Sequence, residues 1–176
     1  MTRREWVLTA LVGLTAGAGG YAYSLWLASG RDPAAHSAES IMAVRLPNLD
    51  GKVESLEQWR GKVLVVNYWA TWCAPCRDEI PVFVRLQDRY RERGLQFIGI
   101  ALDQPHQVRP FAAELRMNFP ILIGDIGAID LTRKLGNRAG ALPFTAIIGR
   151  TAEKIAATHV GALTESRLET LIAPLL

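Results

Sequence analysis

This 176-residue chain has only two cysteines, three histidines and three methionines, and that scarcity removes whole classes of function. A structural zinc needs about four ligands, yet His36, His106 and His159 are scattered without metal-ligand spacing. Charged residues are 21% of the chain and the net charge is +3, with the basic residues dispersed, so nothing resembles a nucleic-acid module. The densest basic group, Arg85, Arg89, Arg91 and Arg93, reads as the solvated face of a helix rather than an anion or acidic-partner patch. No internal repeat is visible. What remains is an ordinary globular composition, 49% apolar, sized for one domain plus an appendage.

Both cysteines lie in Trp72-Cys73-Ala74-Pro75-Cys76. An apolar, β-branched run from Val63 to Trp69 precedes them and an amphipathic stretch follows. A Cys-x-x-Cys where a buried strand meets a helix reads as a redox pair. The first sulfur of such a pair sits at the helix N-terminus, where unsatisfied N–H groups and the helix dipole stabilise a thiolate. Such settings lower a free cysteine pKa of ~8.5 to roughly 3.5–7.5. The second cysteine, three residues on, is within reach to close a disulfide. A zinc half-site and a purely structural disulfide are the competing readings, and the strand-to-helix setting favours the redox pair over both.

The N-terminus carries a different signal. After Arg3, Arg4 and Glu5, residues 6–28 contain no formal charge, long enough to cross a ~30 Å hydrocarbon layer as a helix. Trp6 lies at one end and Tyr21, Tyr23 and Trp26 near the other, as amphipathic aromatics do at membrane interfaces. The expected organisation is a cytoplasmic N-terminus (1–5), a signal-anchor spanning the cytoplasmic membrane (6–28), a linker (29–43) and an extracytoplasmic domain (44–176). The arginine pair sets that orientation. Cleavage near Ala28-Ser29-Gly30, giving a soluble periplasmic form, and a buried soluble helix are the alternatives. The flanking Arg3-Arg4 also loosely resembles a twin-arginine export signal.

Within the domain, strands and helices alternate. Asp50-Gly51 signals a two-residue hairpin of type I′, and Ser55 with Gln58 matches a capping box. Strands are expected at 62–68, 95–102, 121–123, 144–148 and 154–159. Helices are expected from the cysteines to about Arg93, closed by Gly94, and at 105–117, 126–135 and 164–172, with Thr164 as N-cap. Strands separated by helices, ending in a close strand pair, indicate an α/β fold whose sheet is partly parallel with an antiparallel edge.

The run from Val65 through Asn67, Trp69, Trp72, Cys73, Pro75, Cys76 and Glu79 to Pro81 resembles the active-site segment of membrane-anchored thioredoxin-like proteins of the TlpA/ResA type. The similarity extends from about Leu46 to Ile172. It implies a thioredoxin-like fold: a central mixed β-sheet flanked by helices, with an N-terminal hairpin extension and an N-terminal transmembrane helix. It also implies that Pro81 kinks the first long helix, and that Pro143 is a cis-proline facing the disulfide. The backbone of Leu142 would then pair with a substrate peptide in strand-like fashion. Trp72 and Pro75 join Leu142 and Pro143 as expected substrate-binding positions. Two departures stand out. Asn67 occupies a position where many thioredoxins carry a buried, proton-accepting aspartate, and an asparagine cannot titrate. Glu79 resembles the glutamate this group carries near its cysteines and is the candidate to fill that role, against a plain solvated helix residue. Gly149-Arg150 replaces a turn often centred on aspartate.

The expected chemistry is thiol–disulfide exchange outside the cytoplasmic membrane. Cys73 attacks a client disulfide, Cys76 resolves the mixed disulfide, and Trp69 and Trp72 limit solvent access. No cofactor is expected beyond the redox-active Cys73–Cys76 pair, and no metal. The partners are disulfide-bearing client proteins, for example in cytochrome c maturation or metal-centre assembly, and a separate membrane or periplasmic thiol reductant. Nucleic acid is not among them. Two other functions compete: a copper-handling protein binding Cu(I) through the dithiol with Met117 or His159, and a thiol peroxidase using Thr71.

Overall fold

The computed structural model describes Gly20, Tyr21 and residues 33–176. The chain divides between Asp32 and Pro33, and the expected signal-anchor at 6–28 lies outside the described residues apart from Gly20 and Tyr21, which are helical. Among the described residues no helix is long and apolar enough to cross a membrane.

The C-terminal unit opens with α1 (Pro33–Met42), followed by a hairpin of β1 (Arg45–Pro47) and β2 (Val53–Ser55). Then come β3 (Val63–Trp69), α2 (Ala74–Tyr90), β4 (Leu95–Ala101), α3 (Pro105–Glu114), β5 (Ile121–Ile123), α4 (Ile126–Lys134), β6 (Phe144–Ile148), β7 (Ile155–Val160) and α5 (Glu165–Ile172). Five strands form one sheet in the order β5-β4-β3-β6-β7. β3, β4 and β5 run parallel, whereas β6 and β7 pair antiparallel. This is the mixed α/β sheet that the resemblance implies.

β3 is central because every residue in it is buried. Alternation sends Leu64, Val66 and Tyr68 to one face, where they pack with Ile41 and Met42 of α1 and Ala128 of α4. Val63 and Val65 point the other way, against Phe83 of α2 and Leu168 of α5. Trp69 continues that second face and stacks on Phe111 of α3, ring centroids 5.2 Å apart. Its register neighbourhood requires a glycine: a Cβ on Gly99 would lie 2.8 Å from Trp69 Nε1. Gly94 ends the helical segment at φ 85°, a left-handed conformation that suits glycine.

Three expectations are corrected. The linker at 29–43 is not a tether along its length, because α1 occupies 33–42 and buries Ala38, Ile41 and Met42 in the core. The hairpin turn is longer than two residues. Gly51 N donates to Asn48 O and Asn48 N to Lys52 O, and only Gly51 takes a positive φ, so the turn is not type I′. Asn48 explains the difference, since its side-chain oxygen accepts from both Asp50 N and Lys52 N. The capping box is half formed: Ser55 accepts from Glu57 N, while Gln58 turns to Glu54.

Candidate active site

The cysteines stand where β3 gives way to α2. Cys73 is the N-cap, Cys76 lies in the first turn, and Pro75 occupies an early position where a missing N–H costs nothing. The two sulfurs are joined in a disulfide with Cα atoms 5.3 Å apart. Cys73 retains 5% exposure and Cys76 none. Cys73 O accepts from Cys76 N at 3.1 Å and Arg77 N at 3.3 Å, closing the first turn of the helix over the pair.

Glu79 is one turn further along α2 and is 1% exposed, so it is not the solvated residue its charge would allow. Its Oε1 accepts from Asn67 Nδ2 at 2.8 Å and its Oε2 from Leu163 N at 2.9 Å. Burial pushes the carboxyl up to about 7, against the pull of those two hydrogen bonds. A groove of about 290 Å³ opens over it between α2 and the β7–α5 loop, lined by Asp78, Val82, Leu163 and Glu165 among others. A larger groove of about 480 Å³, between the β1–β2 turn and the end of α3, contains none of the residues expected for thiol exchange, though Met117 lines it.

The Leu142–Pro143 peptide bond is cis. Leu142 is half-buried and packs against the apolar cluster that holds both cysteines. Pro143 O accepts from Gly161 N at 2.8 Å. Ala141, just before the cis pair, is stapled by Asn137, whose side chain accepts from Ala141 N and donates to Ala141 O, both at 2.9 Å. Asn137 was not legible as a site residue, because its position in a polar turn reads as ordinary loop chemistry.

The two tryptophans part company. Trp69 is fully buried, but Trp72 is 71% exposed, so it presents its ring to solvent. Thr71 is tied to Asp103, with both its amide and its hydroxyl donating to Oδ2. Asp103 also accepts from Gln104 N at 2.8 Å. It therefore anchors the loop that carries Trp72 and Cys73 to the β4–α3 connection, a role only the parallel pairing of β3 with β4 reveals. Met117 packs against the cysteine cluster, while His159 lies on β7, in register with Thr145. Among the described residues no three His, Cys, Asp or Glu side chains gather as a metal site.

The sequence and the fold that carry this disulfide both have counterparts among known proteins. The AhpC/TSA family model matches residues 38–157. The chain belongs to the AhpC/TSA family. It is 29% identical over 168 residues to the thiol-disulfide oxidoreductase ResA of Halalkalibacterium halodurans, covering 95% of this chain and 92% of that protein. It is 34% identical to the thioredoxin-like protein YneN of Bacillus subtilis, covering 70% and 71% respectively. A solved thiol:disulfide interchange protein of the thioredoxin family from Chlorobium tepidum superposes with a TM-score of 0.67 at 26% identity, covering 75% of this chain and 92% of that one. The fold is thioredoxin-like, and with its closed Cys73–Cys76 pair the AhpC/TSA member is a thiol–disulfide oxidoreductase.

Proposed function

We propose that this chain reduces disulfides in client proteins on the extracytoplasmic side of the cytoplasmic membrane, tethered by residues 6–28. The observation that carries the reading is the Cys73–Cys76 disulfide at the start of α2, set in one apolar cluster with Leu142 of the cis Leu142–Pro143 pair.

In the reduced protein Cys73 is the thiolate, stabilised by the helix N-terminus. It attacks one client sulfur, the client disulfide breaks, and the departing client thiolate takes a proton from solvent. Cys76 then gives its proton to the Glu79 carboxylate and attacks Cys73 Sγ. The Cys73–client bond breaks, the second client thiolate leaves and is protonated, and the chain is left as the disulfide seen here. Two electrons pass from the dithiol to the client, and a separate membrane or periplasmic thiol reductant restores them. A carboxyl titrating near 7 can accept the Cys76 proton and return it. Exposed Trp72 gives the client an aromatic ring to pack on, and the backbone at Leu142 gives it an edge to pair with. Apo-cytochromes c and metal-centre assembly proteins are clients of the right chemistry.

The test is a Cys76→Ser variant expressed in cells. It should accumulate disulfide-linked adducts through Cys73 that dithiothreitol releases and that Cys73→Ser abolishes. Stoichiometric Cu(I) binding by the wild-type chain with no adducts in the variant would instead assign the dithiol to metal handling.

A further inference from the structure

Asn67 holds more than the carboxylate. Its amide nitrogen carries two N–H groups; one donates to Glu79 Oε1 at 2.8 Å and the other to Thr145 Oγ1 at 3.0 Å. All three side chains are buried: Asn67 is 2% exposed, Glu79 1% and Thr145 not at all. Asn67 on β3 and Thr145 on β6 are direct register partners, so their side chains share one face of the sheet, the face that α2 covers. Thr145 is two residues beyond cis Pro143. The second carboxylate oxygen reaches the same segment by another route. Glu79 Oε2 accepts from Leu163 N, and two residues earlier Gly161 N donates to Pro143 O at 2.8 Å.

Resting on the oxidoreductase reading above, we propose that Asn67 is a positioning residue for client binding, whose amide ties the Glu79 carboxylate on the active-site helix to the Thr145 hydroxyl on the strand that follows cis Pro143. The two oxygens of one carboxylate thus hold the Pro143 segment on both sides, through Asn67 and Thr145 on one and through the Leu163–Gly161 loop on the other. This explains why an amide stands at position 67. An aspartate there would have no N–H to offer either acceptor and would place a second negative charge 2.8 Å from Glu79. The residue that cannot titrate carries a neutral amide whose two N–H groups donate to both neighbours at once.

The Asn67–Thr145 half of the tie acts on where the client strand docks, and removing that half alone is measurable. Thr145→Val keeps the β-branched shape and the Asn67–Glu79 bond but removes the hydroxyl. With the full-length chain, dithiothreitol as reductant and insulin as the disulfide substrate, this variant should raise KM about fivefold, the factor equivalent to one net hydrogen bond. The rate at saturating insulin should hold, and Thr145→Ser should restore the wild-type KM. A KM in Thr145→Val equal to wild type, or a raised KM that Thr145→Ser shares, overturns the proposal. Should the valine variant not fold, Thr145→Ala carries the same expectation and the same refutation. Reduction of dithiobis(nitrobenzoate) by the wild-type chain, which needs no strand pairing, checks the redox reading separately.

Discussion

A carboxyl at 1% exposure whose two hydrogen-bond donors, Asn67 Nδ2 and Leu163 N, are both uncharged is the most consequential residue-level feature after the cysteines. Its ordinary value of 4.5 rises to about 7 because burial disfavours the charged form more than Asn67 and Leu163 favour it. The folded protein therefore holds a proton between these values that the unfolded chain has released. Stability is highest below about 4.5 from this group's standpoint, falls as pH rises through the window, and levels off above about 7. The difference is on the order of 3 kcal/mol. Urea unfolding of the oxidised wild-type chain should show a falling midpoint from pH 5 to pH 8, and Glu79→Gln should flatten that slope while folding normally. A slope unchanged in Glu79→Gln would place the titrating group elsewhere. The sequence marks Glu79 by its place on the cysteine helix. It does not mark the burial, since Leu163 lies 84 residues away and joins it only when α5 packs on α2. A similar separation hides the partners of Arg85 and Arg89, which reach Glu165 and Glu169 on α5.

At the scale of elements, β3, α2 and β6 were legible because each carries a strong local signal: a β-branched run, an amphipathic stretch behind Cys73, and a proline before a strand. Helix α1 was not. The stretch from Ser29 to Ala43 is rich in small and polar residues, which reads as a tether. Its helical part becomes stable only by burying Ile41 and Met42 against β7, α4 and the turn at Leu56–Trp59. The turn at Asn48 failed for a related reason, since a side chain competing for backbone N–H groups is invisible to a two-residue motif. The boundary of the folded unit is therefore expected at 33, not 44. A chain beginning at residue 33 should unfold at the denaturant midpoint of the full-length protein's redox domain. One beginning at 44 should lose stability on the order of 3 kcal/mol or more, because the burial of Ala38, Ile41 and Met42 is lost with α1. Equal midpoints would show that α1 is a dispensable appendage.

For the whole molecule, the charge-free stretch and the folded unit answer different physical demands. The Pro33–Leu176 unit buries its apolar faces internally, with Leu64, Val66 and Tyr68 on one side of the sheet and Val63, Val65 and Trp69 on the other. Residues 6–28 have 23 positions without a formal charge and Arg3 and Arg4 ahead of them, which fits a hydrocarbon layer and a positive-inside orientation. Tethering would hold Cys73 on the far side of the membrane, within reach of exported clients and of a membrane-borne reductant. In fractionated cells the full-length chain should stay with the membrane through carbonate extraction, and protease added to spheroplasts should degrade the domain. Replacing Ala16 and Ala18 by arginine should abolish both behaviours by placing two charges near the middle of the span, each costing roughly 2.5–3.5 kcal/mol there. A carbonate-soluble form starting near residue 30 would show that the segment is a cleaved export signal. The thiol chemistry would stand in that case, because Cys73, Cys76 and Glu79 are all positioned by elements that begin after residue 33.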